Sequence, residues 1–162
     1  MHLTRSLFIA VAATLAIAVV ALGEGARAER TAHKGFVQNI EKLTQRNGDF
    51  RHVLYTAKNL QLVVMSLPPG EHIGLERHDV DQFFRVEEGT GEVLIAGQRS
   101  PIEPGSAIVV PAGNQHDFFN TGKTALKLYT IYAPPNHRDG VVHHTKADAE
   151  RDHERFDGKT SS

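Results

Sequence analysis

Three polar side chains, Glu76, His78 and Gln82, fall at i, i+2 and i+6 in a stretch that also holds Val80, Phe83, Phe84 and Val86. A β-strand repeats its facing every second residue, so this spacing turns all three to one face. The hydrophobic neighbours favour pleated, buried backbone. Polar groups aimed into an apolar interior are costly unless something satisfies them. A metal ion would satisfy two oxygen donors and an imidazole at once. A fourth candidate ligand, His116, follows a β-branched run and a Pro111-Ala112-Gly113 turn. Strand parity adds Phe84 to the first face and Phe118 to that of His116, so the expected site is two imidazoles, one carboxylate and one amide oxygen walled by phenylalanine. Such a set leaves positions open on an ion that prefers six ligands.

The elements that must position these residues are strands. Apolar runs at Phe50–Thr56, Leu60–Leu67, 74–80, 82–88, Glu92–Ala96, Ser106–Val110, His116–Asn120 and Leu126–Ala133 are separated by short turns rich in Gly or Pro. That spacing predicts an all-β sandwich or barrel. Before it, residues 29–49 read as a leading strand or arm, with a short helix fitting nearly as well. After Pro134-Pro135 the chain turns polar. Residues 136–162 are expected to be a solvated tail or a flap over the barrel mouth, with a short helix capped by Thr145 and with His143 or His144 near a substrate.

These two stretches resemble the cupin superfamily. Its first motif, G-x5-H-x-H-x3-E-x6-G, is met by Gly70, His78 and Gly89, with Glu76 in place of the first His and Gln82 in place of the Glu. Its second, G-x5-P-x-G-x2-H-x3-N, is met in full by Gly105, Pro111, Gly113, His116 and Asn120. The resemblance covers residues 50–133 and implies a small single-domain cupin, a β-barrel or jelly roll spanning 50–135 that commonly binds a divalent metal. The formal carboxylate count is preserved and only the positions are exchanged. Some cupins lack a metal, and decay of the ligand set is the alternative; both substitutes here, however, still carry oxygen donors.

Without cysteine, any metal site must use nitrogen and oxygen. Mn or Fe is expected first and Zn next, although the stability order of divalent ions pulls the other way. The chain has 162 residues and a formal net charge of −1, with 40% hydrophobic and 23% charged residues. This balance suggests one domain and argues against nucleic acid or an anionic membrane surface as partner. Residues 1–28 read as a cleaved signal peptide: Arg5, then a run from Leu7 to Leu22 that is apolar but for Thr14, then Ala26-Arg27-Ala28. A periplasmic or secreted protein is therefore expected, with no membrane contact after cleavage. By resemblance, pairing of edge strands into a homodimer is also expected.

Two function classes stay open. One is an oxygenase or isomerase acting on a small oxygenated molecule. The other is a module that holds a small ligand or the metal without turnover. A sugar-phosphate isomerase is a weak third, because no Gly-rich backbone with clustered Lys or Arg is present to cradle a phosphate.

Overall fold

The computed structural model describes residues 34–161. The expected signal peptide, residues 1–28, lies outside the described residues. Along the chain run α1 (Ile40–Arg46), β1 (Arg51–Thr56), β2 (Gln61–Leu67), β3 (Glu76–Arg77), β4 (Asp81–Glu88), β5 (Gly91–Ile95), β6 (Gln98–Ile102), β7 (Ala107–Val110), β8 (Gln115–Phe119), β9 (Leu126–Ala133), β10 (Val142–His143) and α2 (Lys146–Arg151). The strands form two antiparallel sheets, ordered β10-β1-β2-β9-β4-β7 and β3-β8-β5-β6, the jelly roll that the strand spacing predicts.

Alternation along the strands builds the core. On β4, Gln82, Phe84 and Val86 are buried, while Asp81 and Arg85 face out. On β9, Leu126, Leu128, Thr130 and Tyr132 are buried in the same rhythm. β2 departs from it, with Val63, Val64 and Met65 all buried. The reason is α1, which packs against β2, β4 and β9 and so covers part of the larger sheet. Its residues Ile40, Leu43, Thr44 and Asn47, at i, i+3, i+4 and i+7, are the less exposed ones. Asn39 caps the helix start, accepting from Lys42 N at 2.9 Å. Lys127 on β9 reaches the helix end and donates to the carbonyls of Gln45 at 2.8 Å and Asn47 at 2.7 Å. Within the expected strand or arm of residues 29–49, residues 40–46 form a helix.

The first motif does not lie on one strand. After the two residues of β3 the chain bends at Asp79 and Val80 and begins β4 in the other sheet. Glu76 and Gln82 therefore lie on strands of different sheets, and parity along a single strand does not relate them.

The polar C-terminal segment folds back on the barrel. β10 pairs with β1, with Arg51 opposite His143. Val53 N donates to Val141 O at 2.9 Å, and Ser161 N to Thr56 O at 2.9 Å. Gln61, fully buried on β2, holds the segment's start: its Nε2 donates to His137 O at 2.7 Å, and its Oε1 accepts from His137 N at 2.9 Å. The expected short helix is α2, with Thr145 as its cap and Asp148 completing a capping box.

Candidate metal centre

β3 and β8 pair with Glu76 directly opposite His116. His78 follows where the chain leaves β3, and a turn of the second motif fixes it there: Gly113 N donates to His78 O at 2.7 Å. Gly113 takes φ +83°, a conformation that side-chain-bearing residues rarely adopt. Asp81 ties the same turn from the other side, accepting from Ala112 N at 2.8 Å. The motif glycine and proline thus serve the site through backbone.

Glu76, His78 and His116 offer ligand atoms that all lie within 4.8 Å of one another. His116 is buried, and its Nδ1 lies 3.2 Å from the carbonyl of Asn114. A carbonyl only accepts, so Nδ1 carries the proton and Nε2 keeps its lone pair. That Nε2 is enclosed and has no hydrogen-bond partner. Burial, reinforced by the His78 charge, holds the His116 pKa below the ordinary histidine value despite the Asn114 carbonyl, so the ring is neutral, as a metal ligand must be. Burial alone would raise the Glu76 carboxyl. The hydrogen bond with His78 (3.2 Å) and the charge of Arg51 outweigh it and hold the group ionised below its usual range.

Gln82 is also buried, and neither its amide oxygen nor its nitrogen has a hydrogen-bond partner. It is bracketed by the cluster's own neighbours. Phe84, two residues on, lies 6.1 Å ring to ring from His116. Tyr132, the cross-strand partner of Gln82, lies edge-on to His78 at 5.7 Å. The Tyr132 hydroxyl is near the Gln82 amide, though not in hydrogen-bond geometry. A buried lone pair on His116 and an unpaired buried amide beside a carboxylate and a second imidazole fit a divalent ion. The chemistry is nitrogen and oxygen only, as expected.

Phe84 and Phe118, expected to wall the pocket, pack against His116 with their own rings 4.3 Å apart, but they do not line the cavity that opens at the cluster. Above the cluster opens a polar cavity of about 260 Å³, walled by Arg51, Glu76 and His78 from the barrel and by His137, His153 and Glu154 from the C-terminal segment. His143 and His144 do not line it. His143 is turned inward against Asp152 (3.2 Å), and His144 is exposed and bound to Asp49 (2.6 Å). His72 pairs with buried Asp117 at 2.8 Å.

Sequence reasoning misses two features of this mouth. His137 is buried, and its Nδ1 lies 2.7 Å from Glu154, whose other oxygen accepts from Arg138 N at 2.7 Å. Burial lowers the His137 pKa against the opposing pull of Glu154. Arg51 sends Nη2 to Glu76 at 3.4 Å, yet its Nε is enclosed without a partner. Parity with Val53 is the signal that puts Arg51 inside; a charged residue at an inward position of a strand is the feature to look for.

A sequence model of the cupin domain family matches residues 63–132. The uncharacterized protein YrkC of Bacillus subtilis is 52% identical over 123 residues, 72% of this chain and 66% of that protein, just under two thirds of its length. An oxalate-binding protein of Thermotoga maritima is 31% identical over 68 residues, 41% of this chain and 56% of that one. The crystal structure of a Bacillus halodurans protein superposes with a TM-score of 0.72 at 47% identity, covering 74% of this chain and 96% of that one.

Proposed function

The chain belongs to the cupin family, and on that premise we propose that it is an exported mononuclear metal cupin acting on a small oxygenated molecule, as an oxygenase or isomerase. The observation that carries the proposal is the enclosed, unpaired Nε2 of His116 beside Glu76 and His78. Imidazole with carboxylate and amide oxygen suits Mn or Fe first and Zn next. When bound, the ion would supply Lewis-acid polarisation of a substrate oxygen.

The chain's own residues do the rest. Arg51 keeps Glu76 charged. Phe84 and Phe118 pack against His116 and keep its ring buried. His137, oriented by Glu154, stands outside the ligand set and can hold or move a proton at Nε2 in the same cavity. His143 or His144 is the histidine the sequence places near a substrate; His137 is the one that lines the cavity. Export rests on the N-terminal pattern of residues 1–28.

The second reading, a binding module without turnover, is favoured by the small polar cavity and by the oxalate-binding relative. Elemental analysis of wild type beside His116→Ala tests the metal: near-stoichiometric Mn, Fe or Zn lost in the variant is expected. No metal in wild type, even after reconstitution, refutes it. Oxygen-consumption and isomerisation screens on metal-loaded wild type and His137→Gln then separate turnover from binding.

A further inference from the structure

We infer that the cavity over the ligand cluster takes a small carboxylate, one end of which is held by the Arg51 guanidinium; this names the ligand class of the metal-cupin reading above and rests on it. Arg51 lies on β1 with its side chain 7% exposed. A guanidinium presents five N–H donors and cannot shed its charge. Buried charges are ordinarily paired and hydrogen-bonded. Here its hydrogen bonding is one long contact of 3.4 Å to Glu76 Oε1, its guanidinium lies 5.6 Å from the centre of the Phe50 ring, and Nε is enclosed with no hydrogen-bond partner.

The other anions nearby are already engaged. Glu154 accepts from His137 and from Arg138 N. Asp152 faces His143 and Arg138. A divalent ion and Arg51 together outweigh the charges of Glu76 and Glu154, leaving a positive excess beside a guanidinium that is itself only 7% exposed. Charges in such surroundings interact far more strongly than in bulk water. A neutral diol or sugar does not answer that excess. A carboxylate does, and its planar pair of oxygens matches the guanidinium fork. The cavity, about 260 Å³, suits a ligand of few carbon atoms.

The competing account is that Arg51 serves only to position Glu76. The full chain is prepared as wild type, Arg51→Lys and Arg51→Gln, with metal content measured in each. The manganese-loaded proteins are titrated calorimetrically with oxalate and, separately, with ethylene glycol as a neutral two-oxygen probe. The expected result is oxalate binding in wild type, weaker by about ten- to hundredfold in Arg51→Gln and by less in Arg51→Lys, with metal content unchanged. Arg51→Gln that keeps both its metal and its oxalate affinity overturns the inference. So does loss of metal in that variant, which makes Arg51 a support of Glu76, and so does ethylene glycol binding as tightly as oxalate. If wild type takes no metal, the metal reading fails separately. Oxalate binding to the metal-free chain then decides: dependence on Arg51 upholds the guanidinium as a carboxylate holder, and its absence overturns it.

Discussion

Replacing Gln82 with Met should change stability in opposite directions with and without metal. Gln82 is 2% exposed, and both atoms of its amide are enclosed without partners. In proteins an amide buried in this way costs about 1–3 kcal/mol. Met has nearly the same length and volume, so no cavity opens and the apolar packing is kept. The metal-free Gln82→Met chain should therefore gain about 1–2 kcal/mol. For a chain of this size that raises the melting midpoint by about 2–8 °C. In saturating manganese the order reverses. If the amide oxygen is a ligand, a thioether replaces it poorly. A loss of metal affinity of about a hundredfold then removes about 2.8 kcal/mol of ligand-linked stability, more than the metal-free gain. Thermal melts followed by circular dichroism, in chelator and in manganese, measure both. A metal-free variant less stable by more than about 1 kcal/mol refutes the reasoning, because it would mean that the nearby Tyr132 hydroxyl already satisfies the amide. That hydroxyl is a plausible rival: burial pushes its pKa upward, so it keeps its proton. An unchanged metal-induced shift would instead place Gln82 outside the ligand set.

Gln61→Leu strips the buried N–H and C=O of His137 of their partners at 2.9 and 2.7 Å. It should cost about 2–5 kcal/mol in urea titration and speed hydrogen exchange at the His137 amide; native exchange there would refute the anchoring role. Gly91→Ala would place a Cβ 2.1 Å from the Phe119 carbonyl oxygen, so the β5–β8 pair must part. A loss of about 2–4 kcal/mol is expected, and near-native stability would show that the strands can shift apart freely. The hydrogen bond and charge of Asp49 raise the His144 pKa above 6.5. This pair's contribution is therefore full below the ordinary histidine value and fades as pH rises through the raised one. Proton NMR should show the His144 titration moving down in Asp49→Asn, and an unmoved titration would sever the pairing.

Most of the barrel is legible from alternation, because β4 and β9 each bury every second residue and so write the inner face into the sequence. The failures have physical causes. β6 is an edge strand with four exposed residues before Ile102, so burial leaves no pattern in it. α1 is short, and its inward set includes Thr44 and Asn47, which dilute a helical signal. The alignment of Glu76, His78 and Gln82 follows from parity for a mistaken reason: a bend carries the chain between sheets, and two inner faces meet where one strand face was expected. The cupin-like glycine and proline spacing still locates the site, since it encodes the turn that holds His78 in place.

The C-terminal segment is the harder case, and it bears on how the site is built. Composition reads it as solvated because its anchors are polar, and their partners lie far back in the chain: Gln61 is 76 residues from His137, and Asp49 is 95 from His144. Yet the same segment pairs β10 with β1 at Arg51 itself and brings His137 and Glu154 over the ligand cluster. Arg51, Glu76 and His137 thus come from three distant parts of the chain, and β10 helps fix the strand that carries the first of them. Cutting off residues 137–162 would therefore remove more than one wall of the cavity: it would expose the edge of β1 and leave Gln61 buried without its main partners. Point substitutions such as His137→Gln, which spare those anchors, separate chemistry at the mouth from integrity of the fold in a way that truncation does not.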